Sequence, residues 1–398
     1  MGYHIGFSPP DITSAEIDEV VDTLKSGWIT TGPKTKRFER EIAAYCGTGR
    51  AVCLNSATAC MELTLRLLGV GEGDEVVTTA YTYTATASVI CHVGATPVLV
   101  DTAKDSFFMD YDALERAVTE KTKVVMPVDL GGVLCDYDRI FEILERKKAL
   151  FTPKTPLQKA YGRAVVLADA AHAFGGEYKG RRCGSVADFT CFSFHAVKNL
   201  TTGEGGAVTW REHHGVDSDA LYRDYMLFSL HGQSKDALSK TKAGQWEYDI
   251  AAPYFKCNMT DIMASIGLAQ LARYEGLLAR RDEIIKTYES GLSGKAVITL
   301  PHQSGFGRSS GHLFLVHMRQ KNEAERNQMI TTLAEKGIAA NVHYKPLPLL
   351  SAYKNLGFCI EDYPNAYHMY QSEITLPLHT GLTDEEAAYV IKEFTALL

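Results

Sequence analysis

Ser193-Phe-His-Ala-Val-Lys198-Asn-Leu-Thr-Thr-Gly-Glu-Gly-Gly206 places a lysine between a strand-like run, Asp188 to Phe194, and a glycine-rich turn. Lysine is ordinarily a solvated surface residue. Held where backbone and side chains crowd it, its amine is suited to covalent work on a carbonyl. Upstream, Arg163-Ala-Val-Val-Leu-Ala-Asp169-Ala-Ala-His172 reads as a buried strand ending in a carboxylate. A Schiff-base lysine and a carboxylate paired with a pyridinium nitrogen are the two protein groups that pyridoxal phosphate (PLP) most needs.

Outward from this stretch, strand-like and helical runs alternate. Ala51–Asn55 precedes a helical pattern to Leu68, and Glu75–Thr79 precedes one near Thr84–His92. Thr96–Val100, a helix near Asp112–Thr119, Lys123–Val128 and a helix near Tyr137–Lys148 lead to the strand ending at Asp169. Strands spaced by helices of this length predict βαβ units and a mostly parallel sheet covered on both faces. Ligands of such sheets sit beyond the carboxyl ends of the strands, where Asn55-Ser56, Asp169 and the Lys198 loop all fall. After about Tyr254 the pattern changes to a long helical segment, Asp261–Tyr288, then a strand at His312–Met318, a helix at Glu323–Lys336, a run at Ile338–Val342 and a final helix at Asp384–Leu397. The expected division is a large domain over 1–253, including the N-terminal segment, and a smaller α+β domain over 254–398 that includes the connecting helix. Phe151–Gly162, with two prolines, is expected to be a surface excursion.

Composition narrows the function classes. With 398 residues and 45% hydrophobic content, the chain can bury two cores. A net charge of -7 and a pI near 6.0 leave no broad basic face for nucleic acid. Nine cysteines without CxxC or metal-ligand spacing are expected to be reduced thiols. No apolar run approaches the roughly 20 residues that cross a bilayer. Met1-Gly2 lacks the hydroxyl residue at position 6 that lipid attachment requires, so a cytoplasmic location is expected.

Several residues acquire meaning together. Ser56-Ala57-Thr58, between a strand and a helix, suits a phosphate at free backbone N–H groups, although an ordinary N-cap serine has the same sequence. Ser193 could add a hydroxyl to the same cup. His172 could pack on a flat cofactor or brace Asp169, or it could simply end a turn. Tyr83, after the strand at Glu75–Thr79, could stack on the cofactor or join the core. Gly203-Glu-Gly-Gly206 lacks nucleotide-loop spacing and reads better as close passage of the chain past a buried group.

In order, Ser26-Gly-Trp-Ile-Thr-Thr-Gly-Pro33, Asn55-Ser-Ala-Thr58, Gly71-Glu-Gly-Asp-Glu-Val76, Gly94-Ala-Thr-Pro97, Asp169-Ala-Ala-His172, the Lys198 stretch, Asn258-Met-Thr-Asp261 and His343-Tyr resemble the DegT/StrS family of PLP-dependent nucleotide-sugar aminotransferases over nearly the whole chain. The resemblance implies an α/β fold of the aspartate aminotransferase type (PLP fold type I), with a mostly parallel seven-stranded sheet and a smaller α+β C-terminal domain. Lys198 would be the Schiff-base lysine, Asp169 the partner of the pyridine nitrogen, and Ala57, Thr58 and Ser193 phosphate contacts. Tyr83 would lie over the cofactor. Asn258 would reach the neighbouring subunit's site in a homodimer, and Trp28, Thr30, His343 and Lys345 would line the sugar-nucleotide pocket. PLP would alternate with pyridoxamine phosphate as glutamate becomes 2-oxoglutarate and a nucleotide-linked keto-sugar, expected to be a 4-keto sugar, is aminated. A PLP-dependent sugar dehydratase or lyase would share Lys198 and Asp169. However, relatives that dehydrate replace the lysine with histidine, which disfavours that activity. A non-catalytic sensor of the same fold would be supported by a DNA-binding appendage, and no basic helix-turn-helix segment is seen.

Overall fold

The computed structural model describes residues 3–233 and 247–398. Met1 and Gly2, read above for lipid attachment, lie outside the described residues. Seven strands form the main sheet: β1 (Ala51–Leu54), β2 (Glu75–Thr79), β3 (Thr96–Val100), β4 (Thr122–Met126), β5 (Val165–Asp169), β6 (Phe189–Ser193) and β7 (Gly206–Trp210). Their order across the sheet is β1-β7-β6-β5-β4-β2-β3. Neighbours are parallel except at β7, which pairs antiparallel with both β1 and β6. This is the expected mostly parallel, seven-stranded α/β sheet of the aspartate aminotransferase type. Every residue of β5 is buried, as a central parallel strand covered on both faces requires.

The chain between strands supplies the covering helices. α1 (Ser14–Ser26) opens with a capping box, in which Thr13 and Glu16 satisfy each other's backbone groups, and closes at Gly27 in the left-handed region. α2 (Pro33–Cys46) begins with proline in its first turn, where a missing N–H costs nothing. α3 (Ala57–Leu67) follows β1 directly, with Ser56 as N-cap accepting from Ala59 N. α4 (Thr84–His92), α5 (Tyr111–Ala117) and α6 (Tyr137–Lys147) continue the alternation. The expected surface excursion contains α7 (Pro156–Tyr161), and it is less superficial than its prolines suggest. Gln158 is fully buried and its Nε2 donates to Leu68 O at 2.8 Å, closing the end of α3. α8 (Ser218–Ser229) completes this half.

The expected single helix over Asp261–Tyr288 is two helices, α9 (Asp261–Ala272) and α10 (Tyr274–Leu292), which meet at Arg273. Asp261 explains where α9 starts. Its carboxylate accepts from Gly32 N, Lys34 N and Thr35 N at 2.8, 3.0 and 2.8 Å, holding the first turn of α2 against it. Met259, Ala264 and Leu268 join the core beneath the large sheet. A second core gathers around an antiparallel sheet of β8 (Val297–Thr299), β9 (Phe314–Met318) and β10 (Glu373–Leu376), with α11 (Glu323–Glu335) and α12 (Asp384–Thr395) against it. Ile5, from the start of the chain, pairs with Ile338 and belongs to this second core. Among the described residues no helix is long and apolar enough to cross a membrane, and no group of His, Cys, Asp and Glu is placed to hold a metal.

Candidate active site

A cavity of about 370 Å³ opens at the carboxyl ends of β2, β4, β5 and β6. Its wall includes Ser56, Ala57, Thr58, Tyr83, Asp169, His172, Ser193, Lys198 and His343, so the cavity brings together nine of the residues singled out above. Trp28, Thr30, Asn258 and Lys345 are not on the wall of this single chain. Trp28 Nε1 donates to Thr31 O at 3.2 Å, and Asn258 Nδ2 donates to Thr31 Oγ1 at 2.5 Å. Thr30 and Lys345 are exposed.

One end of the cavity is built for an anion. The N–H groups of Ala57 and Thr58 open α3, so they have no acceptor in the helical ladder, and the helix dipole adds positive potential. Gly206 lies between Leu54 of β1 and Ser193 of β6. A Cβ on Gly206 would meet Ala57 N at 2.4 Å and Ser56 C at 2.5 Å. Glycine is therefore required for β7 to pass behind the Ser56–Thr58 turn.

At the other end, Asp169 is 5% exposed at the tip of β5. Thr86 Oγ1, one turn into α4, donates to Asp169 Oδ2 at 2.6 Å, and Ala171 N donates to Oδ1 at 3.2 Å. Burial raises the pKa of this carboxyl; the two hydrogen bonds and the Lys198 charge act against that rise. A carboxylate left in such surroundings without a bonded cation is ready to hold a positively charged ring nitrogen. Burial likewise lowers the Lys198 amine from 10.5 to about 8, with Asp169 opposing the change. Among the described residues, Lys198 Nζ has no hydrogen-bond or ion-pair partner. A substantial fraction of it is therefore the neutral, nucleophilic amine near physiological pH.

The His172 ring is set by the opposite wall. Gly131 N donates to its Nδ1 at 3.2 Å, so the ring proton is on Nε2, which donates to the Tyr344 hydroxyl at 3.1 Å. Burial, helped by Lys198, holds His172 well below the usual imidazole range and keeps it neutral. The Gly131-Gly132 turn is interlocked with the second core: His312 N donates to Gly131 O and Ser310 N to Gly132 O. Both glycines have positive φ, and a Cβ on Gly132 would meet Ser310 Oγ at 2.2 Å. His312 lies 4.5 Å from His172, ring to ring, and its Nδ1 is 2.9 Å from Asn199 Oδ1. The residue after Lys198 is thus tied to the smaller sheet's approach strand. Tyr83 is 59% exposed at the rim, 5.8 Å from the Tyr344 ring.

Sequence reasoning missed Thr86, Gly131, Tyr344 and His312. Tyr344 had a usable signal, since it is adjacent to His343. Thr86 had a weaker one: Thr82 and Thr86 lie one turn apart, and their hydroxyls are 2.8 Å apart.

These residues fit PLP: a phosphate cradle at one end, a carboxylate for the ring nitrogen at the other, and an amine between them. Bound there, PLP supplies a reactive carbonyl and an electron sink. A cavity of this composition beyond the strands of such a sheet defines a PLP enzyme of the aspartate aminotransferase fold. Comparison with known proteins agrees. Residues 10–395 match the profile of the DegT/DnrJ/EryC1/StrS aminotransferase family, and the chain belongs to that family. It is a PLP-dependent aminotransferase. It is 38% identical over 394 residues to the spore coat polysaccharide biosynthesis protein SpsC of Bacillus subtilis (strain 168), covering 98% of this chain and 96% of SpsC. Spr1654 from Streptococcus pneumoniae, provisionally named a sugar aminotransferase, has been solved in PLP and pyridoxamine forms. Each superposes with a TM-score of 0.96 at 56% identity, covering 99% of this chain and 98% of Spr1654. PseC of Helicobacter pylori, an aminotransferase of pseudoaminic acid biosynthesis, superposes with a TM-score of 0.86 at 27% identity, covering 99% of each chain.

Proposed function

We propose that this enzyme moves an amino group from glutamate to the ketone of a nucleotide-linked keto-sugar, a 4-keto sugar, in amino-sugar or cell-surface polysaccharide biosynthesis. The observation that carries the reading is the Lys198–Asp169 pair in a cavity whose family relatives are named for sugar amination and polysaccharide biosynthesis. Lys198, once displaced by the donor amine, stands as the base that takes the proton from the donor's α-carbon. It returns a proton in the second half of the cycle. Asp169 keeps the ring nitrogen protonated, His172 packs as a neutral ring against the cofactor, and the Ser56–Thr58 turn with Ser193 anchors the phosphate. Tyr83 lies over the cofactor, and His343 meets the sugar side with Trp28, Thr30 and Lys345.

In this reading residues 1–253 form the cofactor domain and 254–398 the smaller domain, with Ile5 and α9 crossing that line. The active unit is a cytoplasmic homodimer in which Asn258 serves the partner's cavity. The exposed apolar stripe of Ile17, Val21 and Leu24 on α1 supports such a pairing, because stripes of this kind are ordinarily covered.

The test is the visible spectrum of the PLP-loaded protein. Glutamate should bleach the band and 2-oxoglutarate should restore it. UDP-, dTDP- and GDP-linked keto-sugars are then tried as amino acceptors from labelled glutamate. A band that persists with glutamate rejects the donor, and a bleached enzyme that aminates none of the keto-sugars rejects the acceptor class.

A further inference from the structure

His343 shares the cavity wall with Lys198, but the partners of its N–H and its ring lie in β10. The chain is held there by mutual backbone bonds between Asn341 and Thr375. His343 N donates to Glu373 Oε2 at 2.9 Å, and Tyr81 Oη donates to His343 O at 3.0 Å. The Thr375 hydroxyl lies 2.9 Å from His343 Nδ1 and 2.5 Å from Glu373 Oε1. Glu373 and Thr375 are both fully buried.

A hydroxyl carries one proton and can donate to only one of these two neighbours. If Thr375 donates to an ionised Glu373, its oxygen must accept from His343, so the imidazole proton is on Nδ1. If Glu373 is protonated, its free oxygen is already taken by His343 N–H. Its proton therefore sits on Oε1 and goes to Thr375, whose own proton then goes to Nδ1. That places the imidazole proton on Nε2. Among the described residues Nε2 has no hydrogen-bond partner.

We infer that Glu373, Thr375 and His343 form a proton relay that sets the hydrogen-bonding sense of the cavity wall, His343 Nε2 accepting when Glu373 is ionised and donating when Glu373 holds a proton. Glu373 and Thr375 are positioning residues that act only through His343. The relay operates in a neutral imidazole: burial, with the Lys198 charge, lowers His343 to about 3. Burial raises Glu373 to about 8, with Thr375, His343 N–H and Arg326 opposing. The charged or titratable groups around the relay are Arg326, which donates to Glu373 O at 3.2 Å, and His317, the register partner of Glu373 in β9, with Tyr81, Tyr344, Lys198, His172 and His312. Arg326 carries positive charge, Lys198 itself passes to the neutral form around 8, and His172 and His312 are held neutral by burial.

The consequence for substrate rests on the proposed acceptor site. A keto-sugar meets a hydroxyl-accepting wall at high pH and a carbonyl- or oxygen-binding wall at low pH. The relay itself is tested without sugar. PLP-loaded protein carrying nitrogen-15 histidine is titrated from about pH 6 to about pH 10, a span bracketing the raised Glu373 value of about 8. The ring tautomer of His343 is read by two-bond nitrogen–proton correlation, assigned by its loss in His343→Asn. The wild type should pass from Nε2–H to Nδ1–H, the ratio changing about tenfold per pH unit around the midpoint. Glu373→Gln keeps the shape. Its carbonyl must face His343 N–H, so its amide donates to Thr375 and locks His343 as Nε2–H at every pH. Thr375→Val should abolish the pH step. A wild-type tautomer that does not change, or a step that survives in Glu373→Gln with a normal circular dichroism melt, overturns the relay. Failure of glutamate to bleach the wild-type cofactor would instead overturn the proposed function and leave the tautomer result standing.

Discussion

Two buried aspartates near the centre of the main sheet face opposite fates. Asp188, just before β6, is fully buried, and its charge is matched from all sides. Arg163 donates to both oxygens at 2.7 and 2.9 Å, Arg211 at 2.8 Å and Val166 N at 2.9 Å. Asp169, at the opposite end of the sheet, has one hydroxyl and one N–H and no bonded cation. Burial alone does not identify function. A carboxylate whose partners are complete holds the fold, whereas one left incomplete at the mouth of a cavity holds a ligand. Lys198 belongs with Asp169, since its amine too is crowded without a bonded partner among the described residues.

The contrast is broken most severely at Lys198. Lys198→Met keeps the aliphatic bulk and should lower turnover by about 10³-fold or more, read in the steady-state rate with glutamate. Because the folded pKa of about 8 lies below 10.5, the unfolded chain binds more protons than the native chain between those values. In the cofactor-free protein Lys198 should therefore contribute a rise in stability with pH across that window, read as the difference between wild type and Lys198→Met, because the buried thiols, held well above 9.0, act in the opposite direction. A wild-type rate, or a stability difference that does not change with pH, would contradict the assignment.

Asp188→Asn leaves two arginines short of a partner and should destabilise the protein by about 3 kcal/mol, measured by urea unfolding. Asp169→Asn should do the reverse in the cofactor-free protein. Its native pKa is raised, so ionisation at neutral pH works against folding, and removing it should leave the midpoint unchanged or higher. The same substitution should lower turnover by about 10²-fold through loss of the pyridinium partner. If both variants lose stability equally, the distinction between the two carboxylates fails. The smallest expected effect is in cofactor capture. The rate of PLP uptake should rise about tenfold per pH unit below about 8 and level off above it, as the neutral amine becomes the dominant form. A flat profile would show that Lys198 is not poised.

Much of this site was legible because its chemistry is written locally. Asp169 ends an apolar strand, Lys198 sits between a strand and a glycine turn, and Ser56-Ala57-Thr58 joins a strand to a helix; each sits within about ten residues of the pattern that marks it. Where a break depended on a single residue, as at Arg273 between α9 and α10, the unbroken helical periodicity hid it. The two prolines of the 151–162 segment pointed to the surface, yet Gln158 is buried because Leu68 O needed a donor.

What the sequence by itself determined was the alternating pattern of a mostly parallel sheet, the lysine and carboxylate at its rim, and through these the cofactor. The tertiary structure alone decided which partners complete each group. Thr86 reaches Asp169 across 83 positions, Tyr344 reaches His172 across 172, and Tyr81 reaches His343 across 262. Such pairings leave no period in the chain. A hydrogen bond between distant residues depends on how two elements pack and not on the spacing of either, so proton placement and charge balance at the site emerge only when the chain has folded.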